Sequence, residues 1–252
     1  MTPDVVVDVG NTRIKWGVVR PDGSTALHTV PAQPASTWDA MIDGFRPGQR
    51  LSWLVAGVQP ETIALFAVWA RERGDEVTEV TSYSQLPIKV DVEHSEQVGL
   101  DRLLGAVAAN RLRTPGRVAV IVDVGTAVTV NVIDAAGTFT GGLILPGVRL
   151  MTHALHDNTA KLPLIESDGR RFANHAFPGR STEEAIRAGV SYAIAGAVRL
   201  ALEHAKVDGE YPELFLTGGG AASIREFLLD HKGTDVPTLV LDGLLITAEA
   251  LP

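Results

Sequence analysis

The sequence predicts an α/β protein built from two related halves, and two observations carry that prediction. The first is a stretch written nearly twice, Asp8-Val9-Gly10-Asn11-Thr12 and Asp123-Val124-Gly125-Thr126-Ala127. Each copy follows a β-branched run and feeds a second apolar run, Ile14–Val19 after the first and Val128–Ile133 after the second. That is the pattern of a strand, a tight turn and a returning strand. The second observation is that segments with helix boundaries or helical apolar spacing follow each hairpin. The copies stand about one small domain apart. Thr114-Pro115-Gly116 breaks the chain between them, so the halves are expected at 1–115 and 116–252, facing one cleft.

In chain order, Val5–Asp8 and Ile14–Val19 form a hairpin closed by Gly10-Asn11, and Pro21-Asp22-Gly23 makes the next turn. The stretch from Pro31 to Gln49 has turn residues at both ends and no clear period. Leu51–Val58 is a buried strand. Pro60 opens a helix to Arg73 that Gly74 stops, with proline just inside the start and glycine just past the end. From Gly99 to Arg113 a helix is expected, because Leu100, Leu103, Leu104 and Val107 share one face. Val118–Val124 begins the second half. A long helix runs from Glu183 to Ala205, and Ser181 with Glu184 has the form of a capping box at its start. Leu214–Thr217 is a strand ending in Gly218-Gly219-Gly220, and a helix follows from Ala221 to about Asp230.

Composition narrows the function. With 45% hydrophobic and 21% charged residues, the chain has the material for an ordinary globular core. A net charge of −8 argues against a sequence-independent hold on nucleic acid or anionic lipid. It still permits an anionic nucleotide held by backbone N–H groups, a few cationic side chains and a metal. There is no cysteine, which excludes disulfides, thiolate metal sites and cysteine nucleophiles. Met1-Thr2-Pro3-Asp4 has no basic region before the valine run, so no signal peptide is expected. No apolar run approaches the roughly 18–20 residues that span a bilayer. A soluble cytoplasmic protein without nucleic-acid or membrane partners is expected.

The chemistry is expected at the turns. Gly10 lets the backbone turn with positive φ and brings N–H groups near a phosphate. Asn11 and Thr12 donate further hydrogen bonds, Lys15 supplies a point charge, and Asp8 holds Mg²⁺ through water. Asp-Val-Gly-Asn is also the composition of a plain hairpin turn. The second copy at Asp123 argues against that bland reading. Gly218-Gly219-Gly220, between a strand and a helix, lets a ligand lie against the backbone. Gly99-Leu100-Asp101-Arg102 puts an aspartate in the first turn of a helix, where the helix field alone would favour it. There it can also serve as base for a substrate hydroxyl, with Arg102 binding an anionic group. His153 and His156, with Asp157 adjacent, are spaced like a metal pair but lack a clear third ligand and are set aside.

Together these residues resemble the type III pantothenate kinases, members of the acetate and sugar kinase and actin superfamily. The likeness spans almost the whole chain. It rests on Asp8–Thr12, Gly99–Arg102 and Asp123–Ala127. It continues through Gly141-Gly142-Leu143-Ile144-Leu145-Pro146-Gly147, Thr159–Pro163, Gly179–Thr182, Thr217–Gly220 and Leu241–Leu244. The resemblance implies duplicated ribonuclease H-like (actin-like ATPase) domains, with mixed sheets flanked by helices. It implies transfer of the ATP γ-phosphate to the 4′-hydroxyl of pantothenate, the first step toward coenzyme A. By position, Asp101 matches the family's proton acceptor, and Gly99, Leu100, Asp101, Arg102 and Thr182 match its pantothenate-binding residues. Asp8, Val9, Gly10, Asn11, Thr12, Arg13, Ile14 and Lys15, with Thr126, match the ATP phosphate site. Asp123 matches the ligand of a monovalent cation, K⁺ or NH₄⁺, and Asp8 that of Mg²⁺. A homodimer is implied, with the active site near the subunit interface.

The chain departs from the family at two positions. Val92 stands where a tyrosine usually lines the pantothenate pocket, and the segment Thr129-Val130-Asn131 stands where the family often reads Thr-x-Asp. The first removes an aromatic wall and a hydroxyl, the second a negative charge. Two other readings follow: a kinase of the same fold for another small hydroxylated acceptor, and a non-catalytic relative that binds ligand and acts through a partner.

Overall fold

The computed structural model describes residues 2–32, 36–45, 48–166, 177–228 and 231–251. By its contacts the chain divides into two compact units, residues 1–112 with 238–252, and residues 113–237.

The first unit opens with the expected hairpin, β1 (Val5–Val9) and β2 (Arg13–Val19), and adds a third strand, β3 (Thr25–Pro31). Then follow α1 (Ser36–Phe45), β4 (Ser52–Gly57), α2 (Pro60–Glu72), β5 (Glu76–Glu79), the two-residue strand β6 (Lys89–Val90) and α3 (Leu100–Leu112). Its sheet runs β3-β2-β1-β4-β5. The β1–β2 and β2–β3 pairs are antiparallel, and β1–β4 and β4–β5 are parallel. As the central strand, β1 is buried at every residue, which is why it reads as a valine run rather than an alternation. Proline opens α2 and Gly74 follows it at φ +86°, as expected. Burial on α3 is wider than its leucine stripe, taking in every residue from Leu103 to Ala109.

All four tryptophans of the chain, Trp16, Trp38, Trp53 and Trp69, lie in the core of this unit and pack around Phe66. Trp16 and Trp53 meet edge to face with ring centroids 5.2 Å apart, a favoured aromatic geometry. The buried Asp75 ties this core together, accepting from Trp53 Nε1 at 2.9 Å and from the Leu51 N–H at 3.0 Å. Asp75→Ala leaves both donors unpaired, and we expect a loss of about 1–3 kcal/mol for such a group. Urea unfolding followed by tryptophan fluorescence reads it, since every indole reports on this unit.

The second unit contains β7 (Ala119–Val124), β8 (Ala127–Ile133), β9 (Thr138–Pro146), α4 (Val148–Asp157), α5 (Thr182–His204), β10 (Glu213–Thr217), α6 (Ala221–Arg225) and β11 (Gly233–Asp235). Its strands lie in the order β11-β10-β7-β8-β9. The β7–β8 and β8–β9 pairs are antiparallel, while β7–β10 and β10–β11 are parallel. This repeats the plan of the first unit strand for strand, so the duplication read from two short turns extends to the whole sheet. The helix expected to reach Asp230 ends earlier, at Arg225, and continues as a 3₁₀ turn over Glu226–Leu228; Asp230 lies outside the described residues.

Two expectations need correction here. Among the described residues α5, at 23 residues, is long and apolar enough by length and composition to cross a membrane. Its Ile186, Val190, Ile194, Val198 and Leu202 are instead buried against the strands of this unit, so it is a core helix. Its capping box is also only half formed. Ser181 Oγ accepts from the Glu184 N–H at 3.1 Å, but the Glu184 carboxylate accepts from Arg180, one residue before the cap.

The chain then closes with α7 (Leu239–Ala250), which the division at 115/116 assigned to the second half and whose contacts are with the first. Gly243 makes that packing possible: a Cβ there would stand 2.0 Å from the Leu104 carbonyl oxygen of α3. Asp242 fixes the helix to β3, accepting from Thr25 Oγ1 at 2.9 Å and from Thr238 Oγ1 at 2.7 Å.

Candidate active site

In the first unit the Asp8 turn is short and tied at its base. The Gly10 N–H donates to the Arg13 carbonyl at 3.1 Å, and Asp8 pairs with Lys15 across the ladder. Asp8 is 5% exposed, and Lys15 Nζ lies 3.8 Å from its Oδ2, so the carboxylate and its cation sit on one face of the hairpin. Asn11, Thr12 and Arg13 are exposed at the tip, whereas Val9 and Ile14 point into the core. One detail differs from expectation: Gly10 is not among the positive-φ residues. The approach there is close instead: a Cβ would come 3.1 Å from the Arg13 oxygen, tight enough that the turn would have to give slightly.

The Gly99–Arg102 stretch reaches the same end of this sheet. The Val58 N–H donates to the Val9 carbonyl at 3.0 Å, and a Cβ on Gly99 would meet the Val58 side chain at 3.7 Å. Val58 therefore lies between the Asp8 turn and the start of α3 within one unit. Asp101 Oδ1 accepts the Arg102 N–H at 2.8 Å, using one of its two carboxylate oxygens. Gly99 lies close beside it: a Cβ there would stand 2.5 Å from Asp101 Oδ1, so a larger residue would turn that carboxylate. Leu100 and Arg102 are half-buried. Burial pulls the Arg102 guanidinium below its usual range, and the charge of Asp101 opposes that shift.

In the second unit two separate segments converge on the Asp123 turn. The Gly125 N–H donates to Ala127 O at 3.0 Å, closing the turn, and the Gly147 N–H donates to Thr126 O at 3.0 Å. A Cβ on Gly147 would stand 2.4 Å from both the Gly125 and Thr126 oxygens, so the start of α4 is seated on the turn. From the other side comes the glycine run after β10. Gly218 adopts φ +88°, and a Cβ there would lie 2.3 Å from Asp123 Oδ1. The Gly220 N–H donates to Val124 O at 2.9 Å.

Asp123 is paired in register with Thr217 on β10 and with Thr129 on β8. Thr217 is 2% exposed, and its Oγ1 has no hydrogen-bond partner among the described residues. A buried hydroxyl oxygen without a partner, beside a carboxylate, suits the all-oxygen donor set of a hard cation. Asn131 is buried next along this face, and its Nδ2 donates to Thr129 Oγ1 at 3.2 Å. Asp8, a single buried carboxylate with Lys15 beside it, suits Mg²⁺ that takes its remaining ligands from phosphate and water.

Thr182 is exposed in the first turn of α5. Val92 is half-buried, and its carbonyl accepts from Ser95 Oγ at 3.4 Å. His156 Nδ1 lies 2.9 Å from the Leu162 carbonyl oxygen, a local tie at the end of α4. Val58, Gln59, Gly147 and Thr217 escape a residue-type reading. Gly147 and Thr217 stand in motifs quoted for other reasons. Val58 and Gln59 carry no local signal beyond following a strand.

Comparison with known proteins agrees with this geometry. Residues 5–204 match the family model described as type III pantothenate kinase. A type III pantothenate kinase of Alkalilimnicola ehrlichii is 35% identical, over 95% of this chain and 95% of its own. Among solved structures, MreB 5 of Spiroplasma citri bound to AMPPNP superposes with a TM-score of 0.51 at 12% identity, covering 99% of this chain and 96% of its own. The inorganic polyphosphate/ATP-glucomannokinase of an Arthrobacter species gives 0.50 at 15% identity, with both chains covered completely. At such identities the two structures speak for the fold, which is that of the actin-like ATPases and sugar kinases.

Proposed function

Since the chain belongs to the type III pantothenate kinase family and phosphorylates pantothenate with ATP on the way to coenzyme A, we propose how its own residues divide that work. The carrying observation is that Val58 lies between the Asp8 turn and the start of α3 in one unit. The turn from Asp8 to Lys15 holds the ATP phosphates by backbone N–H groups and the Lys15 charge, with Asp8 holding Mg²⁺. Bound Mg²⁺ supplies charge neutralisation at the phosphates. Gly99, Leu100, Arg102 and Thr182 hold pantothenate, with Arg102 pairing its carboxylate. Asp101 accepts the proton of the attacking hydroxyl; in phosphoryl transfer, positioning and charge stabilisation dominate, and an aspartate serves this role. Thr126 supports the phosphates. Asp123 and Thr217 hold a monovalent cation, K⁺ or NH₄⁺.

Dimerisation is the family's arrangement, and the outer face of α5 supports it here. Gly189, Tyr192, Ala193, Gly196 and Leu200 are all exposed on that helix, and the two glycines leave open space where a second helix can approach closely. The reading is of a cytoplasmic homodimer.

The test is product formation, read by mass spectrometry, from pantothenate, ATP, Mg²⁺ and K⁺. Replacing K⁺ with Na⁺ is expected to lower turnover severalfold, and Asp123→Ala to erase the difference between the two salts. Equal turnover in both salts removes the cation from Asp123. A folded chain that consumes ATP only with other hydroxylated acceptors reassigns the Val92 pocket to them.

A further inference from the structure

We propose that Gln59 is a positioning residue of the phosphate turn, setting which end of the Asn11 side-chain amide faces the nucleotide. The inference rests on the reading of Asp8–Lys15 as the ATP phosphate site. Gln59 Nε2 donates to Asn11 Oδ1 at 2.8 Å, across 48 residues of sequence. It occupies the N-cap position of α2 yet makes no side-chain cap bond to that helix. Its polar end is directed at the turn instead.

The backbone beneath is fixed independently. The Val58 N–H is bonded to Val9 O at 3.0 Å, and a Cβ on Gly57 would stand 2.3 Å from that same oxygen, so the segment carrying Gln59 lies directly on the turn.

The contact has a direction: Gln59 Nε2 donates and Asn11 Oδ1 accepts. An asparagine amide has an acceptor at one end and two donors at the other. Phosphate oxygens accept hydrogen bonds and carry negative charge. With Oδ1 occupied by Gln59, the Nδ2 donors are the end left for phosphate. With the amide turned round, the Oδ1 lone pairs would face phosphate oxygens and repel them. Asn11 is exposed at a hairpin tip, where an untethered side chain would lose rotamer freedom on binding. Gln59 removes part of that cost by holding the donor-outward rotamer before the ligand arrives.

The experiment is a double-mutant cycle with ATP affinity measured by calorimetry, alongside KM for ATP and for pantothenate. Gln59→Met keeps the length and removes the hydrogen bond. It is expected to weaken ATP binding about 3- to 10-fold, the scale of one polar contact. KM for pantothenate and the melting temperature stay unchanged, as a side chain that caps no helix allows. Gln59→Glu can only accept, turns the amide round, and weakens ATP binding further. In an Asn11→Ala background, Gln59→Met has no additional effect. The same loss in both backgrounds, or no loss in either, overturns the proposal. If Asn11→Ala itself leaves ATP affinity untouched, the phosphate-turn reading falls first and takes this inference with it.

Discussion

Asp101→Asn lowers kcat about 10²- to 10⁴-fold, the usual contribution of a positioned general base, while ATP affinity stays at the wild-type value. The substitution is close to isosteric. An asparagine oxygen can still accept the Arg102 N–H that Asp101 Oδ1 takes at 2.8 Å, so the first turn of α3 keeps its geometry. What is lost is the ability to take up a proton and the negative charge beside Arg102. Because Asp101 is separated in role from the Asp8 turn, the loss belongs in kcat rather than in the KM for ATP. Single-turnover kinetics with calorimetric nucleotide binding on the same preparation reads both. A kcat within about threefold of wild type, far below a general base's usual contribution, would remove Asp101 from the base role.

Gly218→Ala is expected to damage the other half. At φ +88° an alanine there carries the left-handed penalty of about 1–2 kcal/mol. Its Cβ would also stand 2.3 Å from Asp123 Oδ1 and 2.6 Å from Val124 O, contacts that only a shift of the turn can relieve. Overpacking of this kind typically costs a further ~1–3 kcal/mol. The variant should melt lower and lose ATP affinity, because Asp123 and the glycine run can no longer share their space. Gly219→Ala is the built-in control, since a Cβ there enters open space and φ is not positive. Thermal melts of the two variants should therefore separate clearly. Equal melting temperatures would mean that the Gly218 contact does not constrain the turn.

The parts legible from sequence were those encoded locally. Asp-x-Gly between two apolar runs marks a hairpin wherever it occurs, and Pro60 with Gly74 bracketed α2 because helix ends depend on their own residues. The unread elements depend on distant partners. Helix α7 contains Asp242-Gly243 near its start, a pair common in turns; it packs as a helix because Gly243 lets it lie on α3, from more than a hundred residues away. Strand β9 carries Gly141-Gly142 and is mostly exposed from Thr140 onward, so neither its propensity nor its alternation marks a strand. Helix α4 sets Val148, Met151 and Leu155 against the core at helical spacing, but it is only ten residues long and fully buries only Thr152, so this stripe went unread.

The site divides the same way. Its residue types were readable at Asp8, Asp101 and Asp123, where a turn or a helix start fixes the position. The mechanical reason for Gly10 was not, because close approach and positive φ leave the same mark in a sequence. Gln59 and Thr217 carry no such local mark, since each is brought to its turn by a partner distant in sequence, Asn11 for Gln59 and Asp123 for Thr217. The duplicated turn proved to be the visible end of a repeated five-strand plan.

The central claim is that the chain divides nucleotide holding from proton acceptance, and titrating ATP into Asp101→Asn and Gly218→Ala side by side, with turnover measured on each, tests it most directly. Asp101→Asn should bind ATP as the wild type does and make almost no phosphorylated pantothenate. Gly218→Ala should bind ATP weakly and recover part of its turnover as ATP is raised. Loss of ATP binding in Asp101→Asn, or full ATP affinity in a folded Gly218→Ala, would contradict it.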